Sequence, residues 1–384
     1  MEVYFDNAAT TKVVPSVREI MLETLDDNYG NPSSRHLKGV DAEKYLRYAK
    51  NVLSKQLKCE PKEITFTSGG TEANNLAIIG IAQANKRAGN HIITTGIEHP
   101  SVYEPVLYLE SLGFRVTFLP VKKDGKVDLA KFREELCDET ILVSTMAVNN
   151  EIGTIEPVEE IATIIKAYND EHGKEIVYHV DAIQAFGKQI LYPKRIGIHA
   201  MSISGHKIHG PKGSGALFVD SKVKIVPILF GGGQEKGLRS GTENTAAIAG
   251  FGKATEEMYS NLDENLFKMH TVKDAFIERV TQIEGVTSNS GEAPHIASIS
   301  FRGVKSEVLL HALEERGIYV SSGSACSSNH PALSGVLKAI GLEKDLLDST
   351  LRFSFCEYNT LEEVEYTIAV LTELVPVLRR FTRK

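Results

Sequence analysis

The sequence predicts an α/β protein: a large domain with a mainly parallel, seven-stranded sheet flanked by helices, and a smaller α+β domain. Three observations carry this. Seven short apolar runs, several rich in β-branched residues, alternate with longer helical patterns. The rhythm changes near Ala254. The unusual polar clusters nearly all follow a predicted strand, where such sheets bind ligands.

The strand candidates are 64–67, 91–95, 116–121, 141–147, 176–180, 200–204 and 215–219. Between them the spacing predicts helices over 71–87, 103–112 and 157–172. The helix after TSGGTEANN is apolar almost all round, through Leu76, Ile78, Ile79 and Ile81, so burial is expected. A charged helix is expected over about 254–283, then a strand over 296–301, a helix over 306–316 and a short strand over 318–320. Val364, Ile368, Leu371, Val375 and Leu378 form one helical face. The expected division is 16–256 for the large domain and 1–15 with 257–384 for the small one. The stretch 321–334, SSGSACSSNHPALS, is small and polar and reads as a mobile loop.

Composition excludes several classes. Hydrophobic residues make up 42% and charged residues 24% of the 384, as in ordinary globular proteins. The net charge of −7 argues against direct nucleic-acid binding. No apolar run reaches the ~18 residues of a membrane span, and the N-terminus lacks a secretory pattern, so a cytoplasmic location is expected. Cys59, Cys137, Cys326 and Cys356 are scattered without a C-x-x-C pair, which indicates neither a disulfide framework nor a zinc finger.

SGHKIHGPKG, residues 204–213, admits three readings. Pro211 stands where a Walker loop needs lysine. His206 and His209 are three apart, but no carboxylate or thiol lies nearby in sequence, so no intrinsic metal is expected. Lys207 follows a strand and can form a Schiff base with a carbonyl cofactor, although a solvated lysine is the commoner case. A pyridoxal site needs several further parts, and candidates for all of them follow strands. TSGGTEANN opens a helix with Gly69, Gly70 and Thr71, which suits an anion as well as an ordinary cap. Asp181 ends an apolar strand, where a pyridinium nitrogen or a helix cap would satisfy it. His99 also follows a strand and can stack on a flat ring or simply occupy a turn.

These segments, in order, are YFDNAATT, GNPSSRH, TSGGTEANN, EHPSV, VNNEIG, HVDAIQ, SGHKIHGPKG, GGGQEKGLRSGTEN, SSGSACSS and LRFSF. Together they make the chain resemble the NifS/IscS-type cysteine desulfurases, fold-type-I pyridoxal-phosphate enzymes of the class-V aminotransferase family, over almost its whole length. The resemblance implies pyridoxal 5'-phosphate held by Lys207, with Asp181 on the pyridinium nitrogen and His99 stacked on the ring. It places Asn150 and Gln184 at the ring's phenolic oxygen, and Gly70, Thr71, Ser204 and His206 around the phosphate. Thr242 would reach that phosphate from the neighbouring subunit of a homodimer. Arg352 would clamp the carboxylate of L-cysteine, and Cys326 would take its sulfur as a persulfide while L-alanine leaves.

The resemblance implies iron–sulfur scaffolds or other sulfur acceptors as partners, and a Cys326 able to share a cluster transiently with a scaffold. Cys59, Cys137 and Cys356 read as packing or surface residues, and His209 and Lys212 have no assigned work. Ala73 and Ala185 stand where serines are frequent in the family, and His209 where tyrosine is. The competing readings are a selenocysteine or cysteine/cystine lyase and, outside enzymes, a sulfur carrier or scaffold; the joint presence of Lys207, Asp181, Arg352 and Cys326 speaks against the last.

Overall fold

Strand segments buried on both faces need apolar cover above and below, and the chain supplies it with helices. The computed structural model describes residues 1–322 and 333–381. Its strands are β1 (Val3–Tyr4), β2 (Ile64–Thr67), β3 (His91–Thr95), β4 (Arg115–Leu119), β5 (Thr140–Met146), β6 (Val177–Asp181), β7 (Ala200–Ser204), β8 (Gly215–Val219), β9 (Val286–Ser288), β10 (Ile296–Phe301), β11 (Ile318–Tyr319), β12 (Ser321–Ser322) and β13 (Thr350–Ser354).

The large sheet runs β2-β8-β7-β6-β5-β3-β4. β3 through β7 pair in parallel, while β8 runs antiparallel to β2 and β7. Successive side chains enter opposite layers, as strand geometry requires. Ile92, Leu142, Val177, Ala200 and Leu217 pack in one core with the helix Gly70–Asn85. Their neighbours Ile93, Val143, Tyr178, Met201 and Phe218 pack in the other. The seven expected strands are therefore all present, and only their ends differ. β4 stops before Pro120, which has no N–H to donate to a ladder.

A second sheet, β12-β13-β10-β9, is antiparallel. Phe276 of the helix Leu262–Val280 and Leu371 and Val375 of the helix Leu361–Phe381 cover it. Val3 and Phe5 join this core from the far end of the chain, because β1 pairs in parallel with β11. Two expectations need correction. The helix expected over about 254–283 is two, Thr245–Ser260 and Leu262–Val280, separated at non-helical Asn261. The break lets Met258 pack in the large core and Phe276 in the second. The expected strand over 318–320 is the shorter β11, paired with β1, and a separate β12 follows it, paired with β13.

The ends of the stretch 321–334 are fixed: Ser321 is paired with Arg352 in the sheet, and the Ser334 side chain accepts a hydrogen bond from Leu337 N–H. The expectation of a mobile loop falls on residues 323–332, outside the described residues.

Candidate active site

Several strands of the large sheet end at one cavity of about 320 Å³. Asp181 ends β6, Ser204 ends β7, and Gly70 opens the helix after β2. The cavity is lined by these three with Thr71, His99, Asn150, Gln184, His206, Lys207 and Arg352. Eight residues expected at the cofactor, together with His99 and Arg352, are thus brought together from segments far apart in sequence. Thr242 lies outside this cavity, exposed. Cys326 lies outside the described residues.

Lys207 ends the short helical turn Gly205–Lys207 that follows β7. Its Nζ donates to the carbonyls of Ala8 (2.6 Å) and Ala9 (2.7 Å). Gln184 Nε2 also donates to Ala8 O, at 2.9 Å. The N-terminal segment therefore holds the lysine head through bare carbonyls, a role no side-chain motif announces. The Lys207 carbonyl in turn accepts from Lys188 Nζ at 2.8 Å.

Asp181 is buried, and burial raises its pKa. Its hydrogen-bond donors are amides, Ile183 N–H at 3.0 Å and Asn74 Nδ2 at 2.8 Å. Asn74 Nδ2 also donates to Ser101 Oγ at 2.8 Å, which stands 2.8 Å from His99 Nδ1. Ser101 N–H donates to that same Nδ1, at 3.1 Å. A backbone N–H can only donate, so Nδ1 is the acceptor and the neutral ring carries its proton on Nε2. Burial lowers the His99 pKa, against the opposing effect of Asp181, and keeps the ring neutral. Asn74 and Ser101 were not singled out from the sequence, although both lie in quoted motifs; Ala8, Ala9 and Asp6 are likewise additions.

Arg352 sits on β13, turned toward the sheet end of the large core. Nη1 donates to Asn150 O (2.9 Å) and Nη2 to Asp6 Oδ1 (3.0 Å). Its Nε is buried and lacks a partner among the described residues. A buried guanidinium with an unspent donor suits a further acceptor such as a carboxylate.

The site fits pyridoxal phosphate on these grounds. The helix Gly70–Asn85 has no side-chain cap at Gly69, so its first N–H groups point to an anion site with the favourable end of the dipole. A Cβ on Gly70 would come within 2.1 Å of Ile183 Cδ1, so any larger residue at the helix start would have to push the Ile183 side chain aside at the cavity. His206 is held neutral, its pKa pushed down to about 4 by burial first and then by Lys207. A buried carboxylate that accepts from the Ile183 N–H and the Asn74 side-chain amide is the partner a protonated ring nitrogen needs.

The model of the family described as aminotransferase class-V matches residues 3–367. The chain belongs to the class-V aminotransferase family. Within it, the chain is 42% identical to a protein named cysteine desulfurase IscS from Clostridium botulinum, over 99% of this chain and 96% of the relative. A solved NifS-like protein superposes with a TM-score of 0.92 at 36% identity, covering 98% of this chain and all of that one. A solved SspA in complex with cysteine superposes with a TM-score of 0.80 at 34% identity, covering 94% and 100%. The activity these relatives support is pyridoxal-phosphate-dependent cysteine desulfuration on a fold-type-I scaffold. The class-V fold thus agrees with the expectation drawn from the motifs, as does the cofactor.

Proposed function

We propose that this cysteine desulfurase works with Lys207 as the cofactor-bearing lysine, Arg352 as the substrate clamp and Cys326 as the sulfur acceptor. The convergence of Lys207, Asp181, His99 and Arg352 on one cavity carries the reading. Pyridoxal phosphate, when bound, supplies an electron sink that weakens bonds at the substrate carbon bearing the amino group. Asp181 holds a proton on the ring nitrogen and His99 covers the ring face. Gly70, Thr71, Ser204 and His206 receive the phosphate, while Asn150 and Gln184 stand at the phenolic oxygen. The Arg352 fork orients the substrate carboxylate, and the solved SspA–cysteine complex supports cysteine as the amino acid. Lys207, whose Nζ stands at this cavity, would take the proton from the substrate carbon. The Cys326 thiolate would attack the substrate sulfur, forming the persulfide S–S bond as the C–S bond breaks with its electron pair left on the carbon side, which takes up protons and leaves as L-alanine.

The acceptor is an iron–sulfur scaffold or another thiol-bearing protein, and the enzyme works as a cytoplasmic homodimer. Two features support the dimer. Thr242 is exposed and does not line its own cavity, and Phe230, twelve residues before it, is 80% exposed. The chain divides at about 256, with 1–15 and 257–384 as the smaller unit; the separate core of Phe276, Phe353 and Leu371 supports this. Among the described residues, no helix is long and apolar enough to cross a membrane.

Mass spectrometry after incubation with pyridoxal phosphate and L-cysteine tests the assignment. Alanine release with one extra sulfur on Cys326 is expected, and borohydride should fix the cofactor on Lys207. Neither product forming would end this reading.

A further inference from the structure

The structure places a second group of chemically capable side chains outside the active site. His209 Nε2 stands 3.3 Å from Glu357 Oε2, and the Cys356 sulfur completes a set whose ligand atoms all lie within 4.8 Å of one another. No sequence motif announces the group, because His209 and Glu357 are 148 positions apart. Cys356 and His209 are both buried.

The imidazole now faces Glu357 in an ion-pair contact, in which a metal would take the place of the Nε2 proton. Its Nδ1 lies 2.8 Å from the Lys12 carbonyl, which can only accept, so Nδ1 carries the hydrogen. That fixes ring orientation and directs Nε2 at the other two groups, the arrangement that ligating histidines use. The backbone is committed too. His209 sits at φ 64°, a left-handed conformation uncommon for a residue with a side chain, and its N–H donates to Thr11 Oγ1 at 2.7 Å. Tetrahedral zinc with N, S and O donors needs ligand separations of about 3.3–3.8 Å, so the cluster requires only a small contraction. A cavity of about 470 Å³ adjoins it, lined by His209, Glu357 and Tyr358 together with Glu257, Glu264 and Asn265. Lys188 is the nearby opposing cation, with Glu357 and Cys356 both within its electrostatic reach.

We propose that His209, Cys356 and Glu357 bind a zinc-class divalent cation, with the fourth position open to this cavity. The nitrogen and sulfur donors select zinc over magnesium or calcium. The ion would clip together two pieces of the active site: His209 lies two residues after Lys207, and Cys356 two residues after the strand that carries Arg352. The inference stands apart from the desulfurase chemistry, and its test does not read activity.

The test uses chelator-treated holoenzyme carrying Cys326→Ser, which removes the competing active-site thiol, titrated with Zn²⁺ against a chromophoric chelator. One equivalent per chain is expected. Cys356→Ser, His209→Gln and Glu357→Gln should each weaken it at least about tenfold, whereas Cys59→Ser and Cys137→Ser should leave it unchanged. Co²⁺ should give a thiolate charge-transfer band that Cys356→Ser abolishes. No stoichiometric equivalent in the Cys326→Ser holoenzyme would overturn the proposal whether or not the other variants fold. Unchanged affinity in Cys356→Ser or Glu357→Gln would do the same.

Discussion

At the scale of single residues, the path Asp181–Asn74–Ser101–His99 explains how a histidine is held neutral with a defined tautomer beside a carboxylate. Ser101 acts through His99 rather than on substrate, which makes it a positioning residue. Ser101→Ala removes one of the two donors facing Nδ1 and strands an Asn74 N–H. We expect kcat to fall about ten- to hundredfold with KM little changed, and the acid limb of the pH–rate profile to move upward as His99 protonates more readily. Steady-state kinetics across pH checks both. Asp181 was legible in the sequence because a carboxylate that ends an apolar strand is costly without a partner, whereas Lys207 and Arg352 took their roles from the resemblance of SGHKIHGPKG and LRFSF to the family. Ala8 and Ala9 were not, since a backbone carbonyl has no sequence signature. Glu357 and Cys356 beside His209 were hidden for a different reason: the chain must close the second core against the first before they meet.

At the scale of elements, the start of the helix Gly70–Asn85 is aimed by a tight contact. Gly215 opens β8 against both β2 and β7. A Cβ there would lie 2.7 Å from Gly69 backbone atoms and 2.9 Å from Ile203 O, all main chain that cannot rotate aside. Gly215→Ala should therefore cost about 1–3 kcal/mol of stability and weaken cofactor retention by displacing the 69–70 turn. Denaturant melts and cofactor absorbance after dialysis would register the two effects. The strands themselves were legible as β-branched runs. Their partition between two cores was not marked by alternation, since a sheet covered on both faces is apolar on both. The break at Asn261 was hidden because charged helical spacing continues on either side of it.

For the whole molecule, buried carboxyls make stability depend on pH. Burial pushes Glu156 up to about 8, against the Val127 N–H that donates to it at 2.9 Å, and pushes Glu151 up to about 7. A raised carboxyl keeps its proton in the folded state after the unfolded chain has released it. The folded state then binds more protons, so stability falls as pH rises from about 4.5 through those values. Urea midpoints should decline between about pH 5 and 8, and Glu156→Gln should flatten the decline; a wild-type slope that survives the substitution unchanged would contradict this. Another property of the whole follows from the pairing of β1 with β11 and of Asp6 with Arg352. On the ribosome, Val3 and Asp6 are made long before Ile318 and Arg352, their partners. At about 5–20 residues per second, Val3 and Phe5 stay without their core for roughly 20–60 s, while the large sheet has already had all seven strands. The lysine that bears the cofactor then emerges before the arginine that binds the substrate. The nascent chain gains the means to hold its cofactor before it can close on an amino acid, and the apolar segment around Val3 and Phe5 needs a chaperone's cover meanwhile.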